Sequence, residues 1–419
     1  MKFMHAADIH LDSPLRGLAR YEAAPTDELR AATRRAFQNL VDTCLDQSVE
    51  LLVLAGDIYD GEWKDYNTGL FFVGQLRRLT NEGVHVALIK GNHDAASQIT
   101  RQLTLPEGAL AFDTRRPQTH ILEDIGVALH GQSYGRRDVT EDLASDYPEP
   151  IAGLFNLGVL HTALEGREGH DAYAPCSVAR LLERGYDYWA LGHVHRREIV
   201  SEDPWVVFPG NLQGRHARET GPKGATLVTV EDGSVASLQA LELDVVRWAR
   251  CEVDVSDARS AHDVISQVRQ ALEVEAEAAG DRLLATRVQL RGRSAADGEL
   301  RSQTERWESE IRAAALDVSV PVWVEKVVFD TQPDLDPDVL IEGAGPISEL
   351  LRSVRNASAD DETLHEVIAS LKNLAEKLPP EYRDLDDAMD LTSRDAAIAL
   401  LAEVEKMLLP HLLSLEETG

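Results

Sequence analysis

Apolar positions recur along this chain in two alternating periods, and the alternation predicts a layered α/β protein. Short apolar runs at residues 2–7, 51–55, 84–90, 127–130, 155–160, 186–191, 206–208 and 226–230 read as strands. Between the first three lie helical segments at 27–48 and 66–80. In the first of these, Leu29, Ala36, Leu40, Val41, Cys44 and Leu45 form one stripe at helical spacing. Strands and helices alternating over residues 1–245 argue an α/β domain built on a mostly buried sheet.

The period changes after residue 245. Residues 246–330 read as a small α+β unit, with strands at 251–256, 286–291 and 322–329 and helices at 258–279 and 299–315. Residues 331–346, rich in Pro, Asp and Gly, read as a linker. In 347–419, Leu364, Val367, Ile368, Leu371, Leu374 and Leu378 follow helical spacing, and so do Ile398, Leu401, Leu408 and Leu412. Thr392 and Ser393 are an N-cap signal, and Leu378-Pro379-Pro380 is a stop. This tail is either a hairpin packed on its own protein or a docking element for a partner helix.

Composition narrows the class. The chain of 419 residues is 43% hydrophobic and 27% charged, which is globular. Its apolar runs fall short of the ~18–20 residues a membrane span needs. Residues 1–5 enter a strand at once, without the charged-then-apolar layout of a signal peptide, so a cytoplasmic enzyme is expected. Cys44, Cys176 and Cys251 are too few and too scattered for a disulfide framework or a thiolate metal cluster. Net charge is −30, and residues 331–419 hold 20 acidic against 7 basic residues. That balance opposes tight autonomous binding to a phosphate backbone, which is largely electrostatic. Against it stand five Arg doublets in the first 245 residues, from Arg34-Arg35 to Arg196-Arg197.

Five short segments carry the candidate chemistry: Asp8-Ile9-His10, Gly56-Asp57, Gly91-Asn92-His93-Asp94, His161 and Gly192-His193-Val194-His195. Each follows an apolar run, at the strand ends where ligands collect in open α/β sheets. Alternation along a strand puts Asp8 with His10, and His193 with His195, on a shared face. Any one segment is commonplace as a satisfied structural polar group. Five at successive strand ends are not. Oxygen and imidazole ligands in this mixture suit two divalent ions such as Mn²⁺, Fe²⁺ or Zn²⁺, and a paired-metal site of this kind hydrolyses phosphate esters. Histidines outside the five segments, His5 and His130 among them, read as structural.

The series Asp-x-His, Gly-Asp, Gly-Asn-His-Asp, His, Gly-His-x-His resembles the calcineurin-like metallophosphoesterase superfamily over residues 1–230. The segments 5–14 and 209–216 (Pro-Gly-Asn-Leu-Gln-Gly-Arg-His) resemble its DNA-repair exonuclease branch, which holds SbcD-like and bacterial YhaO-type proteins. The resemblance implies a layered α/β/β/α sandwich, a small α+β cap and a helical C-terminal tail that docks an SbcC-like ATPase. It implies DNA as substrate and a homodimer as an option. It assigns one ion to Asp8, His10, Asp57 and His195, and the other to Asp57, Asn92, His161 and His193, with Asp57 bridging. His93 becomes the catalytic histidine, Asp94 its orienting carboxylate, and Arg215 and His216 contacts to substrate phosphate. Asp60 departs from the pattern, since some branch members carry histidine there. Two other functions stay open: a phosphodiesterase for a small molecule such as a cyclic nucleotide, and a partner-binding subunit with weak hydrolysis.

Overall fold

The computed structural model describes residues 1–13, 24–60, 66–96, 104–165, 173–334, 341–343, 345–377, 391, 393–402 and 404. The expected helix stop at 378–380, the cap residue Thr392, the stripe positions Leu408 and Leu412, and part of the 331–346 linker lie outside these residues. The chain divides into two compact units, Met1–Ala249 and Arg250–Gly419.

The first unit is two stacked six-stranded sheets. Sheet one runs β12 (Ser234–Glu242), β11 (Gly224–Glu231), β1 (Lys2–Ala6), β2 (Leu51–Ala55), β3 (His85–Ile89), β4 (Ala109–Ala111). Sheet two runs β5 (Gln118–Leu122), β6 (Val127–Gly131), β7 (Phe155–His161), β8 (Tyr188–Gly192), β10 (Trp205–Phe208), β9 (Glu198–Glu202). The central strands are parallel, and β11 joins β1 antiparallel. Alternate residues of each strand enter different cores, as the two-residue period requires. Phe3, Val53, Ala87 and Ile89 meet Leu129, Leu157, Val159, Tyr188 and Val207 between the sheets. Met4, Leu52, Leu54, Val86 and Leu88 face outward against α1 (Thr26–Asp46) and α2 (Tyr66–Asn81), burying Phe37, Leu40, Val41, Cys44, Phe72 and Leu76. Full burial of each Leu or Phe contributes about 1.5–3 kcal/mol. On the far face Trp189, Leu191, Val206 and Phe208 pack with Tyr147, Leu181 and Tyr186. The architecture is the layered sandwich expected, helices outside and sheets within.

β4, β5, β9 and β12 do not figure in the sequence reading. All four are sheet edges. β9 and β12 alternate between half-buried and exposed positions, so the apolar run that marks an inner strand is diluted.

A three-stranded sheet of β13 (Val246–Asp254), β14 (Leu283–Ser294) and β15 (Val322–Pro333) follows, with β14 and β15 parallel. Helix α3 (Ala261–Ala279) starts at a capping box formed by Ser260 and Asp263. The single helix expected at 299–315 is broken at Gln303 into Asp297–Ser302 and Thr304–Leu316. Helices Pro346–Ala359 and Asp361–Lys377 follow. Among the described residues no helix is long and apolar enough to cross a membrane, and all three cysteines are buried and free.

Candidate metal centre

The five segments meet at one edge of the sandwich, by a route the strand period does not give. β1 ends at Ala6, and Asp8 and His10 lie beyond it at φ +50° and +46°. Main-chain bonds zip this stretch onto the loop after β2: Asp8 N–H donates to Gly56 O at 3.0 Å and His10 N–H to Asp57 O at 3.0 Å. Asp57 at φ +52° and His193 at φ +105° share the left-handed region. Non-glycine residues are rare there, and such strain concentrates at functional sites. The shared face expected for His193 and His195 is corrected. β8 ends at Gly192, and the two rings go to different clusters.

One cluster is Asp8, His10 and His195, and another is Asp57, His161 and His193; within each, the ligand atoms lie within 4.8 Å of one another. His10 Nε2 and His195 Nε2 face each other at 3.2 Å, and Asp8 Oδ1 stands 3.8 Å from His195 Nε2. His161 donates from Nδ1 to Ala55 O at 2.9 Å. That bond turns its Nε2 toward Asn92 Oδ1 at 3.0 Å and Asp57 Oδ2 at 3.4 Å. Asp8 also accepts the His193 amide at 2.9 Å, and Asp57 Oδ1 accepts the His93 amide at 3.0 Å.

These donors fit divalent cations on their own chemistry. Asp8, His10, Asp57, His161 and Asn92 are all buried, and His10 Nδ1 is buried with no hydrogen-bond partner. Burial pushes the Asp8 carboxyl up, and so does the charge of Asp57, against the pull of His195 and His161. Burial draws the His161 imidazole down, but the Asp57 carboxylate overrides it and lifts the ring to about 9. A cation would replace that proton and neutralise the buried carboxylates together.

His93 stands at the mouth, its side chain 30% exposed, with Nδ1 2.7 Å from Asp60 Oδ1; with His10 and Asp60 it makes a third group whose ligand atoms lie within 4.8 Å of one another. Burial lowers this imidazole, but the Asp60 bond and the charges of Asp57 and Asp60 outweigh it, and the net shift is upward. The expectation that Asp94 orients His93 is corrected. The carboxylate on His93 is Asp60, which also accepts Ser13 Oγ–H at 2.5 Å. Asp94 is buried and accepts backbone N–H from Ile58, Tyr59 and Gly91 at 2.9–3.1 Å. Burial and the Asp57 charge raise its carboxyl to about 6. It braces the loop after β2 against the loop after β3.

Arg215 reaches the same mouth, with Nη1 3.6 Å from Asp60 Oδ2 and Nη2 3.2 Å from Glu219 Oε1. His216 is 40% exposed, with Nε2 3.7 Å from Glu219 Oε1. Glu219 does not figure in the sequence reading. It sits 2.6 Å from His195 Nδ1. Burial pushes its carboxyl up, but Arg215 and His195 hold it well below the usual range, so it is ionised. Nothing local marks it, since its partner is 24 residues away in the chain.

A family model described as calcineurin-like phosphoesterase matches residues 1–197. Residues 1–197 belong to the calcineurin-like phosphoesterase family. A second model, described as the middle domain of metallophosphoesterase YhaO, matches residues 248–332. An uncharacterized metallophosphoesterase YhaO of Bacillus subtilis is 35% identical over 264 residues, 62% of this chain and 64% of the relative. The DNA double-strand break repair protein Mre11 of Methanopyrus kandleri is 27% identical over 305 residues, 64% of this chain and 63% of the relative. Its counterpart in Aeropyrum pernix is 25% identical over 283 residues, 64% and 66%. The chain thus spans under two thirds of each of these relatives.

Proposed function

We propose that this chain is a two-metal phosphodiesterase that cuts DNA as an exonuclease, with endonuclease activity as an option, and works in DNA repair. The observation that carries the reading is the meeting of two Asp/His clusters at one edge of the sandwich, with the His93–Asp60 pair at their mouth. Asp8, His10, Asp57 and His195 would hold one divalent ion; Asp57, Asn92, His161 and His193 would hold the other. Mn²⁺ is the ion proposed, with Fe²⁺ and Zn²⁺ as substitutes. Two divalent ions held there would supply a nucleophile from water at neutral pH and charge neutralisation for the phosphoryl oxygens.

The chain's own groups do the rest. His93, half-buried at the mouth and paired with a carboxylate, is placed to give a proton to the leaving oxygen. Asp60 holds the ring and favours its protonated form. Arg215 and His216 border the same mouth and are proposed to meet substrate phosphate. The DNA substrate is supported by two relatives named for double-strand break repair. An SbcC-like ATPase partner is proposed for the helical tail, where Leu350, Leu374, Ile398 and Val404 are exposed. The cytoplasm is the proposed compartment.

The test incubates the full chain with linear duplex and single-stranded DNA, with and without Mn²⁺, beside Asp57→Ala. Degradation that needs Mn²⁺ and vanishes in the variant is expected. Hydrolysis of a small aryl phosphodiester without any cutting of DNA, alone or with the ATPase, would overturn the DNA substrate.

A further inference from the structure

We propose that Glu219 is a positioning residue of the metal centre, which holds the His195 proton on Nδ1 and so presents the Nε2 lone pair to Asp8 and His10. The inference rests on the two-ion reading. It concerns which residue makes one half of that centre competent.

A neutral imidazole carries its single proton on either nitrogen, and the group facing one nitrogen decides which. His195 Nε2 faces the donor cluster, 3.2 Å from His10 Nε2 and 3.8 Å from Asp8 Oδ1. A nitrogen carrying hydrogen there could not bind an ion. His195 Nδ1 lies 2.6 Å from Glu219 Oε1 and 3.4 Å from Arg215 Nη2; the carboxylate is the nearer group, and the same Nη2 donates to it at 3.2 Å. A carboxylate only accepts, so the proton belongs on Nδ1.

Glu219 is itself fixed by donors. Its Oε2 accepts Asn211 Nδ2–H at 2.9 Å and the Arg215 amide at 2.8 Å. Its Oε1 accepts Arg215 Nη2–H at 3.2 Å. Every one of these neighbours donates, so the site calls for a group that accepts on both oxygens. The same loop holds the His195 main chain: Lys223 Nζ donates to His195 O at 2.9 Å, and the Asn211 amide at 3.3 Å. Gly210, at φ +81°, lets the loop press this close, since a Cβ there would meet His195 O at 3.1 Å and Arg197 N at 2.9 Å. Residues 209–223 thus grip His195 by backbone and ring together, and Glu219 is the contact that sets the ring's proton.

Glu219→Gln keeps the shape and removes the acceptor pair. A Gln amide must turn its NH₂ either toward Asn211 Nδ2 and the Arg215 amide, two donors, or toward His195 Nδ1 and the Arg215 Nη2 donor. The second choice drives the His195 proton onto Nε2. Removing a partner of this kind typically weakens a metal site 10–100-fold. Mn²⁺ titration by calorimetry and electron paramagnetic resonance is the readout. Wild type is expected to take two ions per chain with a spin-coupled signal. Glu219→Gln is expected to keep one ion near wild-type affinity, bind the second about 10–100-fold more weakly, and give an isolated Mn²⁺ signal. A purely structural staple would weaken both ions alike and lower the melting temperature of the metal-free protein. That pattern, or two ions bound within threefold of wild type, would overturn the proposal. A second measurement needs no substitution in the sample tested: ¹⁵N-histidine resonances of the metal-free wild type, with His195 assigned by its loss in His195→Gln. A proton on Nδ1 is expected and one on Nε2 would refute the inference. Wild type that takes no Mn²⁺ would instead sink the two-ion reading, while the tautomer still judges Glu219.

Discussion

His5 makes the core of the sandwich acid-sensitive. It lies on β1 between the two sheets, fully buried. Its Nδ1 is 3.1 Å from Tyr188 Oη and its Nε2 3.1 Å from Leu191 O. The carbonyl can only accept, so Nε2 carries the proton and Nδ1 takes the tyrosine hydroxyl. Both nitrogens of the neutral ring are satisfied, and a second proton would put an unshared charge in an apolar layer. Burial pushes the imidazole down to about 3, with the Leu191 carbonyl opposing and the Arg197 charge assisting. The unfolded chain titrates near 6.5. Between those values the unfolded state holds a proton that the folded state refuses, so stability falls as pH falls through that window. At ~1.4 kcal/mol per pH unit, the whole loss is about 4–5 kcal/mol, of which about 2 kcal/mol comes between pH 7 and 5. His5→Gln keeps one donor and one acceptor but does not titrate. Hydrogen–deuterium exchange of peptides spanning β1 and β8, in metal-free protein and corrected for intrinsic rates, reads the opening free energy of both chains. Wild type should lose about 2 kcal/mol more than the variant over those two pH units, because the other titrating groups cancel in the difference. A difference that stays flat within ~0.5 kcal/mol would refute the burial argument.

Four substitutions separate the parts of the centre. Asp57→Ala should abolish binding of both Mn²⁺ ions by calorimetry, since Asp57 stands among the second cluster's ligands and its charge is felt by both Asp8 and His10; retention of either at wild-type affinity would break the bridging assignment. His93→Ala and Asp60→Asn should both keep two ions, with kcat lower by about 10²–10⁴ for the first and about 10–100-fold for the second, the size of one charge-assisted hydrogen bond; loss of metal in His93→Ala would make it a ligand instead. Gly56→Ala should weaken binding at the His161 cluster and cost about 1–3 kcal/mol of stability, because at φ +92° the new Cβ would lie 2.5 Å from His161 Nδ1 and displace its bond to Ala55 O; wild-type Mn²⁺ affinity would show that the ring tolerates the shift.

What the sequence discloses here follows from range. Inner strands such as β2 and β7 are buried along their whole length and announce themselves as runs that are wholly or mainly apolar. The proposed ligands are legible because each is anchored to such a run: Asp57 to β2, Asn92 to β3, His161 to β7, His193 to β8. Edge strands lack the run, and the groups that tune the ligands lack any anchor. Asp60 acts on a ring 33 residues away, and Glu219 acts on His195 from a loop that no period describes. The exchange of Asp94 for Asp60 on His93 makes the same point. Adjacency in sequence favours Asp94, yet the first turn after β3 points its carboxylate down onto the amides of Ile58 and Tyr59, and the ring beside it turns up. Neighbours on a helix turn face different ways, so the partner of a side chain at such a turn has to come from another loop. A strand end can therefore be read for which atoms reach the metal edge, whereas the proton on each ring is set by loops that only the fold brings near.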